Sequence, residues 1–147
     1  MRFDYEPDPE ANDYVLRPCV RVLFHDDAAS LPHLALVDTG SPLTLMDRRI
    51  AESLHLGEPI GETTVACAQG MQKAVLYLAS MEVVSGAGDS PIHLGDVTVG
   101  AINAKLPFVI LGTNALVMVV IRICQNEAYL EVDSLEGQTA TASMERP

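Results

Sequence analysis

The sequence predicts an all-β domain with one or two short helices, and three observations predict it. Runs rich in Val, Ile, Leu and Thr recur along the chain, several of them alternating apolar with polar side chains, the period of a half-buried strand. Clusters of Gly, Pro, Asn, Asp and Ser separate these runs and supply the turns between strands. Helical spacing is confined to two brief stretches, 48–55 and 114–118.

Residues 1–13 are polar, contain acids and prolines and show no period, so they are expected to form a flexible arm or an edge strand added on dimerisation. Residues 14–24, YVLRPCVRVLF, alternate from Cys19 onward and read as a strand, with Pro18 at its beginning or edge. A loop over 25–32 leads to a buried strand over 34–37, and residues 42–46 continue as a third short strand. Asp47 is then a good N-cap for a helix over 48–55, in which Ile50, Ala51 and Leu54 share one face and which ends near Gly57. Two β-rich runs, 63–68 and 73–84, flank Gln69, Gly70 and Met71 and predict a hairpin. Residues 92–102, IHLGDVTVGAI, alternate but are broken by Gly95 and Gly100, which suggests a second short hairpin. A second buried strand is expected over 108–111, a turn of helix over 114–118, and a closing hairpin from 119–124 and 129–132. The tail 134–147 has few large apolar side chains and is expected to be disordered, which leaves one domain over 14–133.

Composition narrows the class. A chain of 147 residues, 48% of them apolar, can bury the core of one domain but hardly of two. A formal charge of −11, from 20 acidic against 9 basic residues, argues against nucleic acid as a partner, because a cationic face is needed to displace counterions from phosphate. No run reaches the roughly 18 apolar residues of a membrane span. The opening MRFDYEPDPEAND lacks the apolar core of a signal peptide, so a cytoplasmic protein is expected. Cys19, Cys67 and Cys124 are odd in number, widely spaced and set among apolar residues, which predicts reduced core or near-core thiols. His25, His33, His55 and His93 show no ligand spacing, and His25 with Asp26 and Asp27 is explained by a solvated turn, so no metal and no cofactor are expected.

The chemistry concentrates in residues 34–41, LALVDTGS. An apolar run that stops at Asp-Thr-Gly-Ser is a buried strand delivering one carboxylate, Asp38, into a tight turn where Gly40 is expected to take a conformation forbidden to side chains. A bare Asp-Thr-Gly also serves ordinary turns, since Asp bonds its own backbone. Here a second apolar run ending in Gly, FVILG at 108–112, follows about seventy residues later and leads into helix-permissive residues.

Paired in this way, the motifs resemble those of the retropepsin-like aspartic peptidases, in which a hydrophobic-Asp-Thr-Gly-Ser/Ala turn meets a later hydrophobic-Leu-Gly-helix element. The matching residues are Leu36, Val37, Asp38, Thr39, Gly40 and Ser41, then Ile110, Leu111, Gly112, Asn114 and Leu116, and the likeness spans residues 17–132. It is similar above all to cellular, retrotransposon and bacterial members, because Pro42 and a short helix follow the turn. The resemblance implies a closed, barrel-like fold and makes the 63–84 hairpin a flap over substrate, with Gln69, Gly70 and Met71 at its tip. It also implies an aspartic endopeptidase that takes a peptide or protein substrate.

Such hydrolysis needs two carboxyls sharing one proton, one to activate water and one to polarise the scissile carbonyl. One chain with one Asp-Thr-Gly supplies half of that, so the active unit is expected to be a homodimer with an Asp38 from each subunit on a two-fold axis. Two carboxylates about 3 Å apart cannot both ionise easily, which predicts activity at acidic to near-neutral pH. Thr39 is expected to bond across the axis, Gly40 to keep the turn tight, and Ser41 either to donate to Asp38 or to face backbone as a plain turn hydroxyl. The sequence departs from the retroviral pattern in two ways. Pro42 and Leu43 stand where an acidic residue follows the turn, and Thr113 where a basic residue follows the second Gly; both members of one ion pair are lost together.

Two other readings compete. The fold could serve as a catalytically inactive dimerisation or peptide-binding module. VILGTNAL could instead be a strand-to-helix phosphate turn, but it has a single Gly, no Lys and no βαβ rhythm.

Overall fold

The computed structural model describes residues 1–11, 15–25, 31–68, 70–86 and 88–135. Strands dominate, in the order β1 (Arg2–Asp4), β2 (Glu6–Pro7), β3 (Leu16–Arg17), β4 (Cys19–Phe24), β5 (His33–Val37) and β6 (Thr44–Asp47). Helix α1 (Arg48–Leu54) comes next, followed by β7 (Gly61–Cys67), β8 (Gly70–Val84), β9 (Ile92–Ile102) and β10 (Val109–Leu111). The single helical turn α2 (Thr113–Leu116), β11 (Val119–Cys124), a 3-10 turn (Gln125–Glu127) and β12 (Tyr129–Ser134) complete the described chain.

Alternation decides which faces are buried. Along β4, Cys19, Val20, Val22 and Phe24 are buried while Arg21 is exposed, and β5 buries Ala35 and Val37. Val20, Val22, Phe24, Ala35 and Val37 meet Met46, Met81, Val83, Val99, Val109 and Leu111 in one interior. Burying each such Val, Leu, Met or Phe contributes about 1.5–3 kcal/mol relative to exposure. Six strands enclose that interior in the order β4-β5-β10-β6-β9-β8, and antiparallel pairing of β4 with β8 closes the barrel. β7 lies outside the closed ring as the other arm of the β7–β8 hairpin. The strands agree with the all-β class that the alternation predicts, and the closed ring with the barrel-like fold that the resemblance implies.

One threading matters for function. β10 runs parallel to β5 through Val109↔Ala35 and Leu111↔Val37, and antiparallel to β6 at Ile110↔Leu45. Sequence neighbours β5 and β6 are therefore parted by a strand that comes much later. The C-terminal ends of β5 and β10 lie side by side, so the turns after them meet.

Several local expectations change in the folded chain. Residues 92–102 form one continuous strand, not a short hairpin. Gly95, at φ +75°, lies at a register shift where Met81 pairs with Gly95 and Glu82 with His93, so the glycine serves a bulge. Gly100 allows close packing: a Cβ there would lie 2.9 Å from Leu45 Cδ2 and 3.0 Å from Leu43 Cδ2. Within residues 1–13, Arg2–Asp4 pairs with β12 at the edge of a three-stranded sheet, β1-β12-β11, and Glu6–Pro7 pairs with β3. In the loop expected over 25–32, Asp26 and Asp27 lie outside the described residues, as does the tail from 136 onward.

Helix α1 begins as the sequence suggests. Asp47 is extended and its side chain accepts the amide of Arg49, satisfying a donor that the helix itself leaves unpaired. Ala51 and Leu54 are buried, and His55 ends the helix in the left-handed conformation at φ 53°. The Arg49 guanidinium also bonds Asp47, and this contact, followed by the backbone amide, holds its carboxyl below the usual carboxylate range despite burial. Asp47→Ala is expected to cost about 1–2 kcal/mol at neutral pH, chiefly as a lost cap. Arg49 is exposed, so solvent screens the ion pair and adds little. Because the folded carboxyl ionises more readily than the unfolded one, its stabilisation is complete above the unfolded value and fades as pH falls through the lowered folded value. Urea unfolding at neutral and strongly acidic pH should therefore show the variant's deficit shrinking in acid.

Cys19 is buried, while Cys67 and Cys124 are partly so, and all three are free thiols. Burial, then the Glu6 carboxylate, pushes the Cys19 thiol up to about 12, so almost no thiolate exists near neutrality. Thiol labelling followed by peptide mass spectrometry should leave Cys19 unmodified in the native protein and modify it once the chain is denatured.

Candidate active site

The two apolar strands that carry the motifs end at two turns stapled to each other. The Asp38 amide donates to Leu111 O at 3.1 Å, and the Thr113 amide donates to Ser41 O at 2.8 Å. Within the first turn, Ser41 N donates to Asp38 O at 3.2 Å and Gly40 N to Asp38 Oδ1 at 2.9 Å. One carboxylate oxygen is thus fixed by backbone, and the half-buried side chain is held at the edge of a cavity.

Gly112 allows this approach. A Cβ on it would sit 2.5 Å from both C and O of Leu43, and 2.8 Å from Thr44 N, all backbone atoms. The stapled turns rest on a buried polar network that the sequence reading missed. Thr44 Oγ1 and Thr44 N both bond Asn114 Oδ1 at 2.9 Å, Gly112 N donates to Thr44 Oγ1 at 3.2 Å, and Asn114 Nδ2 donates to Thr98 O at 2.7 Å. A fully buried Thr on a strand has no local signature, because its partner lies on an element seventy positions away.

The expected roles of the motif residues are placed as follows. Thr39 and Gly40 are exposed on the turn. Gly40 is not at positive φ; space is what favours glycine there, since a Cβ would lie 3.1 Å from Asp38 Oδ1. Ser41 Oγ donates its proton to Leu43 O at 2.6 Å, the plain turn-hydroxyl arrangement, so that proton is not directed to Asp38. Gly70, at φ +102°, and Met71, exposed, stand at the start of β8 opposite the end of β7, where Cys67 pairs with Gly70. Gln69 lies outside the described residues. It is the other arm, Thr64, Val65, Ala66, Cys67 and Ala68, that reaches the cavity.

The cavity has a volume of about 620 Å³, within the range of small-molecule and peptide clefts. Its floor is a second apolar cluster, Leu43, Leu45, Val65, Ile102, Leu106 and Ile110, separate from the barrel interior. Among the described residues lining it, Asp38 is the one carboxyl. An ionisable group at the rim of an apolar cleft, with one oxygen pinned, can hold or deliver a proton at a fixed position.

No model of a known protein family matches the chain, and no curated protein sequence does. Solved structures do match in shape. A retropepsin-like aspartic protease from Rickettsia conorii superposes with a TM-score of 0.58 at 16% identity, over 90% of this chain and 98% of that one. EIAV protease in complex with the inhibitor HBY-793 superposes with a TM-score of 0.51 at 20% identity, over 72% of this chain and 89% of that one. The chain has the retropepsin-like fold. Among the described residues no helix is long and apolar enough to cross a membrane.

Proposed function

We propose that the chain is an aspartic endopeptidase that acts as a homodimer, with Asp38 as its catalytic residue. The observation that carries this reading is the position of Asp38: one carboxyl, pinned by the Gly40 amide on a turn whose Thr39 and Gly40 are exposed, at the rim of an apolar cleft. A single acid in that position completes a proton-sharing pair only when a second copy brings its own Asp38 to the same axis. One carboxyl of the pair then takes a proton from water while the other donates to the carbonyl oxygen of the scissile bond, and the roles reverse as the amine leaves.

The neighbours have tasks in this scheme. Thr39 would bond across the axis, and the lack of a side chain on Gly40 lets the substrate backbone lie close to the carboxyls. Ser41 supports the turn through Leu43. The hairpin arm 64–68, with the tip at Gln69, Gly70 and Met71, would cover a bound peptide, and Leu43, Val65, Leu106 and Ile110 would receive apolar side chains flanking the scissile bond. We place the catalytic domain at 14–133 and its site of action in the cytoplasm.

Light scattering and a peptide-library digest test the proposal together. A dimer that cleaves peptides at mildly acidic pH, next to apolar residues, is the expected result. A dimer that binds peptides without cleaving any of them would make the chain a non-catalytic binding module. A strict monomer at high concentration would overturn both readings.

A further inference from the structure

The barrel seam gathers three side chains that the linear sequence keeps far apart. β8 lies between β4 and β9 there, with Leu23 paired to Glu82 on one side and His93 paired to Glu82 on the other. His25 lies two residues beyond Leu23 and so shares its face, a diagonal neighbour of Glu82. The bulge between Met81 and Glu82 brings His93 opposite Glu82. His25 Nε2 lies 3.0 Å from Glu82 Oε2, and His93 Nδ1 lies 3.2 Å from the same oxygen. All three ligand atoms fall within 4.8 Å of one another.

We propose that His25, Glu82 and His93 bind a divalent transition metal of the Zn²⁺ class. Two imidazoles and one carboxylate form a donor set that Zn²⁺ accepts with a water in the fourth position. The geometry is close to what that requires. Metal–ligand bonds of about 2.0–2.1 Å in a tetrahedron put neighbouring ligand atoms about 3.3 Å apart, near the two separations to Glu82. The carboxylate side chain is only 7% exposed, whereas the imidazoles are 40% and 73% exposed, so the anion is anchored in the wall and an ion enters from the solvent side. The histidine rings are tilted by 30° with centroids 5.9 Å apart, an arrangement that modest side-chain rotation closes around an ion.

Location assigns the role. Cys19 pairs with Leu36, close to Asp38, and His25 lies six residues along the chain from Cys19, about 20 Å at strand rise. The metal would therefore not reach the proposed catalytic acid. It would staple β4, β8 and β9 at the pairing that closes the barrel, so its effect is on stability.

Chelator-treated full-length protein titrated with Zn²⁺ in a calorimeter, and with Co²⁺ by visible absorption, tests the site. The expected result is one saturable ion per chain, a tetrahedral Co²⁺ spectrum without thiolate charge transfer, and a rise of several degrees in Tm with Zn²⁺. His25→Ala and His93→Ala, both at partly exposed positions, should each weaken binding at least tenfold and abolish the Tm rise while leaving the far-UV spectrum unchanged. No saturable uptake, uptake undiminished in both variants, or a thiolate-dominated Co²⁺ spectrum pointing to Cys67 or Cys124 would overturn the proposal.

Discussion

Asp38→Asn is expected to reduce peptide cleavage by about a thousandfold or more, with little change in thermal stability or dimer mass. The substitution is nearly isosteric, and the amide oxygen of Asn can still accept the Gly40 N–H that fixes Asp38 Oδ1. What disappears is the exchangeable proton. In the proposed two-fold dimer one substitution removes both carboxyls, and with them the groups proposed to activate water and to polarise the carbonyl. Each such role contributes about 10²–10⁴-fold to a rate. Removing two adjacent carboxyls also relieves a like-charge contact, so the variant dimer should be no weaker than the parent. Initial rates on the best library peptide, beside a thermal melt, provide the check. Cleavage within tenfold of the parent would assign the activity to another residue or to a contaminant.

Gly112→Ala is the second large effect, this time on folding. The added methyl would occupy space 2.5 Å from the Leu43 carbonyl carbon and oxygen. Backbone cannot swing aside as a side-chain tip can, so β6 and β10 must separate. Overpacking costs about 1–3 kcal/mol. The displaced turn also endangers the bonds from Asp38 N to Leu111 O and from Thr113 N to Ser41 O, at about 0.5–1.5 kcal/mol each. A total on the order of 3–5 kcal/mol is a large share of the 5–15 kcal/mol that holds a typical domain together. Gly61→Ala is the control, since its Cβ would meet only Leu76 Cδ1 at 3.8 Å. Urea unfolding of the two variants should separate them clearly, and a Gly112 variant within about 1 kcal/mol of the parent would show that the two turns can part at little cost.

What could be read from the sequence was local. The alternation of β4, the apolar runs of β5 and β10 and the Asp47 cap depend on neighbours within a few positions, and they emerge where expected. Gly95 and Gly100 were misleading because glycine punctuates turns, bulges and close contacts alike. Only the register with β8 shows that one serves a bulge, and only Leu43 and Leu45 show why the other lacks a side chain. Gly40 had the same ambiguity, between a backbone torsion and a crowded carboxylate. The Thr44–Asn114 pair spans seventy positions and His25 lies far in sequence from Glu82 and His93, so no spacing rule could reveal either group. The cavity wall is equally non-local: turn chemistry marks the tip residues, whereas the arm 64–68 lines the cleft together with Leu43, Leu106 and Ile110 from other parts of the chain.

The late insertion of β10 has a consequence for how the protein is made. While the ribosome has delivered only the first hundred residues, β5 and β6 have no strand between them, and each presents unpaired amides and carbonyls along one side. Joining β5 to β6 through β10 waits on a segment distant in sequence, a high-contact-order step that is slow by nature. Chains that end before Val109 are therefore expected to aggregate more readily than the chain that carries β10.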